Sequence, residues 1–309
     1  MKKTLLLLLF PLLTLAQEGG VVKSVMLDSI MITAVKDGFS VEEFIHYVKT
    51  DTTFYQGFKN LRYYNHDYHS DLKVLKKNGE VLGSLYRAGD YTINNEQLVV
   101  HIDSANDDGR IYKRRGGYRH YTPEFFDHIF FPEDTVSVSK YARDGEEDSE
   151  DDNEKNEQDA KVIIFNPGSV EVESGKRGKK EKLAVFDINM QQYYDYLISQ
   201  ETFQDSIECY SFSVRMKEDL EKKEKDEVLI RELVSYFDKK TFNVMYRKYV
   251  MTYRYWLIDL DVTIEVYMGY ANEVLIPEFV HYNGFWDIPF NKPEYADFKL
   301  WNYNFEIKE

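Results

Sequence analysis

Tyr246-Arg-Lys-Tyr-Val-Met-Thr-Tyr-Arg-Tyr-Trp-Leu-Ile-Asp-Leu-Asp-Val-Thr-Ile-Glu-Val-Tyr267 is the stretch on which the fold turns. Its β-branched and aromatic residues suit a pleated, half-buried surface, and apolar and polar side chains alternate along much of it. Residues 242–254 and 257–268 therefore read as two long strands. Working outward, Asp238-Lys-Lys-Thr241 is a turn, and residues 228–237 before it tilt to strand. Ile207-Glu-Cys-Tyr-Ser-Phe-Ser-Val214 alternates as well, and residues 193–198 form a further strand or a helical turn. Residues 276–282 and 298–307 complete an antiparallel meander joined by short polar turns. Twist accumulates across long antiparallel strands, and an apolar face must be covered. The expectation is a mainly β (α+β) fold: a strongly curved antiparallel sheet, or incomplete β-barrel, with a few covering helices.

The first half of the chain supplies the covers. Residues 25–35 read as one strand. Ser40-Val-Glu-Glu43 has the pattern of a capping box, and Val41, Phe44, Ile45 and Val48 follow at helical spacing. Asp51 is placed to cap a second helical turn carrying Phe54, Tyr55 and Phe58. Asn78-Gly79 joins two alternating runs as a hairpin. Thr122-Pro-Glu124 starts another helix, with Pro at its first position and an acid in its first turn. Its apolar face is Phe125, Phe126, Ile129 and Phe130, and Pro132 ends it.

Composition bounds the class. The chain has 309 residues and 16% aromatics, with 25 Tyr, 20 Phe and 3 Trp. Tyr is both strand-favouring and amphipathic, so this bias favours sheets and surfaces. The net charge is -15, but it is concentrated. Residues 144–159 hold ten acids and one Lys and no apolar side chain. Such a run has no surface to bury and is expected to be a disordered loop within a single β-rich domain over 17–309. Its carboxylates alone do not make a calcium site, which needs a rigid loop with fixed ligand geometry.

Met1-Lys2-Lys3, the apolar run from Thr4 to Leu15, and Leu15-Ala16 before Gln17-Glu18-Gly19-Gly20 follow the layout of a secretory signal over residues 1–16. A dozen apolar residues are too few to span a bilayer as a helix. No Cys follows the run, so lipid attachment there is not expected. The expected location is periplasmic or secreted, with no membrane-spanning segment. The lone Cys209 reads as a small buried residue.

Tyr236-Phe-Asp-Lys-Lys-Thr-Phe-Asn-Val-Met-Tyr-Arg247 resembles the strand, Asp-Lys-x-Thr turn and strand of periplasmic lipoprotein-carrier-like (LolA/LolB-like) domains. Ile276-Pro-Glu-Phe-Val-His-Tyr282 resembles their following strand, and Phe298-Lys-Leu-Trp-Asn-Tyr-Asn-Phe305 their last. Asp28-Ser-Ile-Met-Ile-Thr-Ala and Thr50-Asp-Thr-Thr-Phe-Tyr are similar to segments of exported proteins of Gram-negative bacteria. The resemblance implies a half-barrel whose helices lie as a lid over an apolar cavity holding acyl chains.

Chemistry-bearing motifs are sparse. His66 and His69 stand three apart with Asp67 between, which on a strand sends them to opposite faces. Asn106-Asp-Asp-Gly109 has the chemistry of a turn. Arg110-Ile-Tyr-Lys-Arg-Arg-Gly-Gly-Tyr-Arg-His-Tyr121 interleaves cations and rings, as a solvated basic turn or an anion site would. Export and the acidic balance weigh against nucleic acid. No catalytic signature, metal set or cofactor motif stands out. The expected function is thus a non-enzymatic carrier with no cofactor, holding a hydrophobic ligand or lipoprotein. Phe237, Tyr249, Tyr253, Trp256, Phe285 and Trp286 are expected to line its cavity. The alternative is an envelope module that binds a protein partner or glycan through exposed aromatics.

Overall fold

The computed structural model describes residues 23–27, 30–34, 48, 51–94, 97–131, 136–137, 171–173, 180–182, 185, 190–226, 228–255, 258–287 and 291–307. The expected signal, the helix from Ser40, the acidic run and Trp256 lie outside them.

The alternating stretches do become strands. In chain order they are β1 (Lys23–Leu27), β2 (Ile30–Ala34), β3 (Tyr64–Leu75), β4 (Val81–Asn94), β5 (Gln97–Gly109), β6 (Val136–Ser137), β7 (Glu171–Glu173), β8 (Lys180–Lys182), β9 (Tyr194–Phe203), β10 (Ile207–Met216), β11 (Ile230–Asp238), β12 (Val244–Tyr255), β13 (Ile258–Ala271), β14 (Val274–Asp287) and β15 (Glu294–Ile307). Residues 25–35 are not one strand, because Leu27 and Ile30 pair across a hairpin. Nor is Asn106-Asp-Asp-Gly109 a turn. It continues β5, fully exposed, and pairs with residues 83–86 of β4.

Thirteen of these strands form one sheet, in the order β1-β2-β9-β10-β11-β12-β13-β14-β15-β3-β4-β5-β6. The pairings are antiparallel except for β2 with β9. The order corrects the expected incomplete barrel. β1 and β6 remain as two separate edges, and the sheet is open rather than closed or strongly curled. Twist and the family resemblance were the reasons to expect curling. Twist does not bring edges together, however, unless stagger and tilt also close the register. Here β15 pairs with β3, so the C-terminal meander is extended by β3, β4 and β5 rather than folded onto itself.

Among the described residues, both longer helices pack on one face of this sheet. Helix α1 (Thr53–Asn60) starts where Asp51 Oδ1 accepts from the Thr53 amide at 3.0 Å. Phe54 is its buried anchor, and the Arg247 guanidinium of β12 lies 4.3 Å from the centre of that ring. Helix α2 (Tyr121–Phe130) buries Phe126, Ile129 and Phe130, as its spacing predicts. The Phe126 ring stacks on Phe298 of β15 at 4.3 Å. A single turn, α3 (Lys222–Lys225), lies in the connection before β11. Burying an aromatic side chain stabilises a fold by about 1.5–3 kcal/mol, and this covered face carries most of the core. Tyr68, Leu72, Val74, Tyr249, Ile264, Val266, Tyr282 and Phe298 are all at most 3% exposed.

Candidate functional site

Side chains on a strand alternate between faces. The residues between the core positions therefore share the far face of the sheet. There the register aligns one ring from each of six consecutive strands. Tyr236 of β11 opposes Tyr246 of β12. Tyr246 opposes Tyr267 of β13, and Tyr267 opposes Phe279 of β14. Phe279 opposes Trp301 of β15, and Trp301 opposes His69 of β3. The ring centroids step by 5.0, 4.8, 5.5, 5.0 and 4.4 Å. At ~4.8 Å between strands, six strands give a row of ~24 Å. Tyr303 and Tyr86 extend it beside His69 and are 38% and 41% exposed. At the other end Phe203 stands against Tyr246 and Tyr267 at 6.5 and 5.9 Å, and there Tyr246 is 8% exposed. Directly opposed aromatic pairs each stabilise an antiparallel sheet by roughly 0.2–1 kcal/mol. The row thus serves the fold as well as presenting rings to solvent.

A polar row runs beside the rings. Lys248 reaches Glu232 at 2.9 Å, and Tyr246 donates to Glu265 at 2.6 Å. His281 lies between Glu265 and Asp297, 3.4 Å from the one and 3.1 Å from the other. Asn283 donates to Asp297 at 2.9 Å, and Lys299 stands 3.6 Å from it. Lys73 and Asp71 pair at 3.0 Å on β3. Burial pushes the Asp297 carboxyl up, but the bonds from His281 and Asn283 and the nearby cations outweigh it and hold it down at about 2. It is an anion at any ordinary pH. The face therefore sets a line of rings against a line of fixed donors and acceptors.

Of the six residues expected to line a cavity, Trp256 is outside the described residues, and those whose side chains are described fall on both faces of the sheet. Phe237 and Tyr249 are core residues of the covered face, 0% and 1% exposed. Trp286 is also on that face, 8% exposed, against Phe125 at 4.9 Å and Tyr282 at 5.6 Å. Its neighbour Phe285 points the other way and meets Tyr295 at 4.7 Å beside the polar row. The backbone of Tyr253 pairs with Leu260. The far-face row was missed because its members come one to a strand, and no local pattern announces which residue will oppose which.

His66 and His69 do part to opposite faces. His66 is buried between the Tyr91 and Phe305 rings at 4.7 and 5.3 Å. Among the described residues, no group of three or more His, Cys, Asp or Glu could hold a metal ion. No helix there is long and apolar enough to cross a membrane, which leaves β-barrel spans unaddressed. Cys209 is fully buried, and that burial pushes its thiol up to about 11.

No family model matches the chain, and no curated protein matches it either. Solved structures give distant likenesses. A LolA superfamily protein from Nitrosomonas europaea is 9% identical, with 83% of this chain and 92% of that chain covered and a TM-score of 0.27. A putative outer membrane lipoprotein-sorting protein domain from Vibrio parahaemolyticus is 8% identical, covering 81% and 89%, with a TM-score of 0.28. Lipovitellin is 10% identical over 80% of this chain and 25% of its own, at 0.27. A likeness this distant assigns the chain to no family. At such TM-scores it decides neither a ligand nor a mechanism, and those must come from the chain's own residues.

Proposed function

We propose that this chain is an exported, non-enzymatic binding protein that takes an extended glycan along the aromatic row of its far face. The row carries the reading: Tyr267, Phe279, Trp301, His69 and Tyr303 lie partly open to solvent in one line, with fixed polar groups alongside. Sugar rings have apolar C–H faces and hydroxyl edges. The faces suit the electron-rich face of an aromatic ring. The edges suit Glu265, His281, Asn283, Asp297 and Lys299, already oriented by bonds to one another.

Two other occupants fit less well. The apolar strip is one residue wide and bordered by charges, whereas the core of a protein interface is broad and depleted of charge. An acyl chain on a half-open row would keep much of its surface in water, forfeiting the burial that drives its binding.

The test is retention on immobilised polysaccharides and oligosaccharides of envelope and extracellular origin, with Trp emission followed during titration. We expect binding that falls about tenfold or more in Trp301→Ala and in Tyr267→Ala, since aromatic anchors carry most of a binding energy. Unchanged binding in both variants would sink the proposal. So would a lipid retained in detergent-free native mass spectra of wild type and Trp301→Ala alike, which would restore the acyl-carrier reading.

A further inference from the structure

The basic segment after β5 is not a loose turn. Ile111 is fully buried against Gly83, where an added Cβ would come 2.9 Å from its Cδ1. Arg110 donates its amide to Leu82 at 3.1 Å, and Arg119 donates its amide to Ile111 at 2.8 Å. Tyr112 and Tyr118 pair across the two arms. The tip closes through Lys113 to Gly117 at 3.0 Å and Gly116 to Lys113 at 3.1 Å, with both glycines at positive φ. Tyr118 then locks the base by bonding Asp127 of α2, which Arg87 of β4 clamps through two guanidinium nitrogens. Past the hairpin, His120 is held by Glu294 at 3.0 Å.

On this rigid base stand Arg110, Lys113, Arg114, Arg115 and Arg119, all exposed. Among the described residues none has an ion-pair partner. Two acids near this end have partners of their own. Glu80 pairs with Lys76 at 2.7 Å, and Asp108 accepts from the Gly109 amide at 2.8 Å. Gly109, Arg110, Tyr112, Lys113, Arg114 and Arg119 frame an open hollow of about 730 Å³. In a chain of net charge -15, five exposed cations on one braced hairpin run against the overall balance.

We infer that this hairpin docks the protein on an anionic phospholipid surface, reading the phosphates of its headgroups. Arg and Lys near such a surface are attracted within about a Debye length, and Arg takes phosphate oxygens two at a time. Apolar tips accompany the cations. Tyr112 is 40% exposed among them, and Val81, next to Leu82, is 51% exposed. Tyr is the residue type that gathers at the membrane–water interface. The hairpin also sits at one end of the strands, so it can meet a plane while the far-face row stays accessible.

The experiment is co-sedimentation of the chain lacking residues 1–16 with phosphatidylcholine vesicles, and with vesicles containing phosphatidylglycerol. We expect binding to the anionic vesicles alone, weakening as salt is raised. Arg114→Glu/Arg115→Glu, at a tip that touches no core residue, should cut partitioning by about 25-fold or more, at roughly fivefold per cation. Arg114→Lys/Arg115→Lys should retain it. Equal binding to both vesicle types overturns the inference, as does wild-type binding by the Glu variant. Displacement by inorganic phosphate at matched ionic strength, with phosphate bound in the absence of lipid, would make this a free-phosphate site and overturn the membrane reading.

Discussion

His66 is a buried histidine with a cost attached. Burial drives its pKa down from 6.5 to about 4, against the pull of the Tyr64 carbonyl, Asp67 and Asp90. The folded value lies below the unfolded one, so the unfolded chain binds the proton more readily. The neutral ring's contribution is complete above pH 6.5 and is lost as pH falls toward 4, by about 3 kcal/mol in all. Thermal melts across that window should show the decline, and His66→Phe should flatten it. Glu294 is also shifted down, but by its bonds rather than by its burial. Burial raises its carboxyl, but bonds from His120 and from the Thr122 amide and hydroxyl outweigh that and hold it below the ordinary range. It caps the start of α2 from a strand 172 residues away in sequence. Glu294→Ala should cost about 1–2 kcal/mol in urea unfolding by leaving those donors unmet.

Among the elements, β4 depends on two local details. Gly89 stands at a register shift, and a Cβ there would come 1.9 Å from the His101 carbonyl oxygen of β5. Gly89→Ala should therefore destabilise by about 2 kcal/mol or more, read as a drop in melting temperature, because backbone rather than a flexible side chain blocks it. Arg87, 6% exposed, is neutralised by Asp127. Asp127→Ala should cost about 3–5 kcal/mol by stranding a buried charge, and hydrogen exchange should quicken in the hairpin over residues 110–119. At this scale the sequence was uneven to read. Residues 207–216 alternate cleanly, and β10 begins and ends there. β5 was hidden because its Asn106-Asp-Asp-Gly109 end carries turn residues on an exposed strand. β14 starts earlier than its periodicity suggested because Pro277 sits beside a bulge, where the missing donor is tolerated. Phe285 and Trp286 were both expected to line one cavity, but adjacent strand residues face opposite ways. The far-face row could not be read at all, since turn lengths and bulges set which rings meet.

For the molecule as a whole, mainly β character was legible and openness was not. Residue patterns report which faces are apolar, but not whether two edges meet. Cys209 offers a probe of the whole assembly. It is fully exposed to neither face, lies in β10 between β9 and β11, and its thiol is pushed up to about 11, by burial first and then by Asp238. The thiolate is the reactive form. The native chain should resist thiol reagents at neutral pH, and labelling should track global unfolding measured by circular dichroism. Fast labelling of the folded chain would show that the β9–β10 pairing opens on its own.

The pairing of β15 with β3 joins segments more than two hundred residues apart. A ribosome, and any channel that threads the chain N-terminus first, delivers β3, β4 and β5 long before their neighbour exists. Until the last residues emerge, β3 is a bare, template-ready edge of the kind that recruits other chains. Contacts across more than two hundred residues are slow to form. A premature stop after Asp287 would therefore do more than trim the tail. It would leave the two flanks of the sheet with nothing between them, which makes the fourteen-residue β15 its keystone.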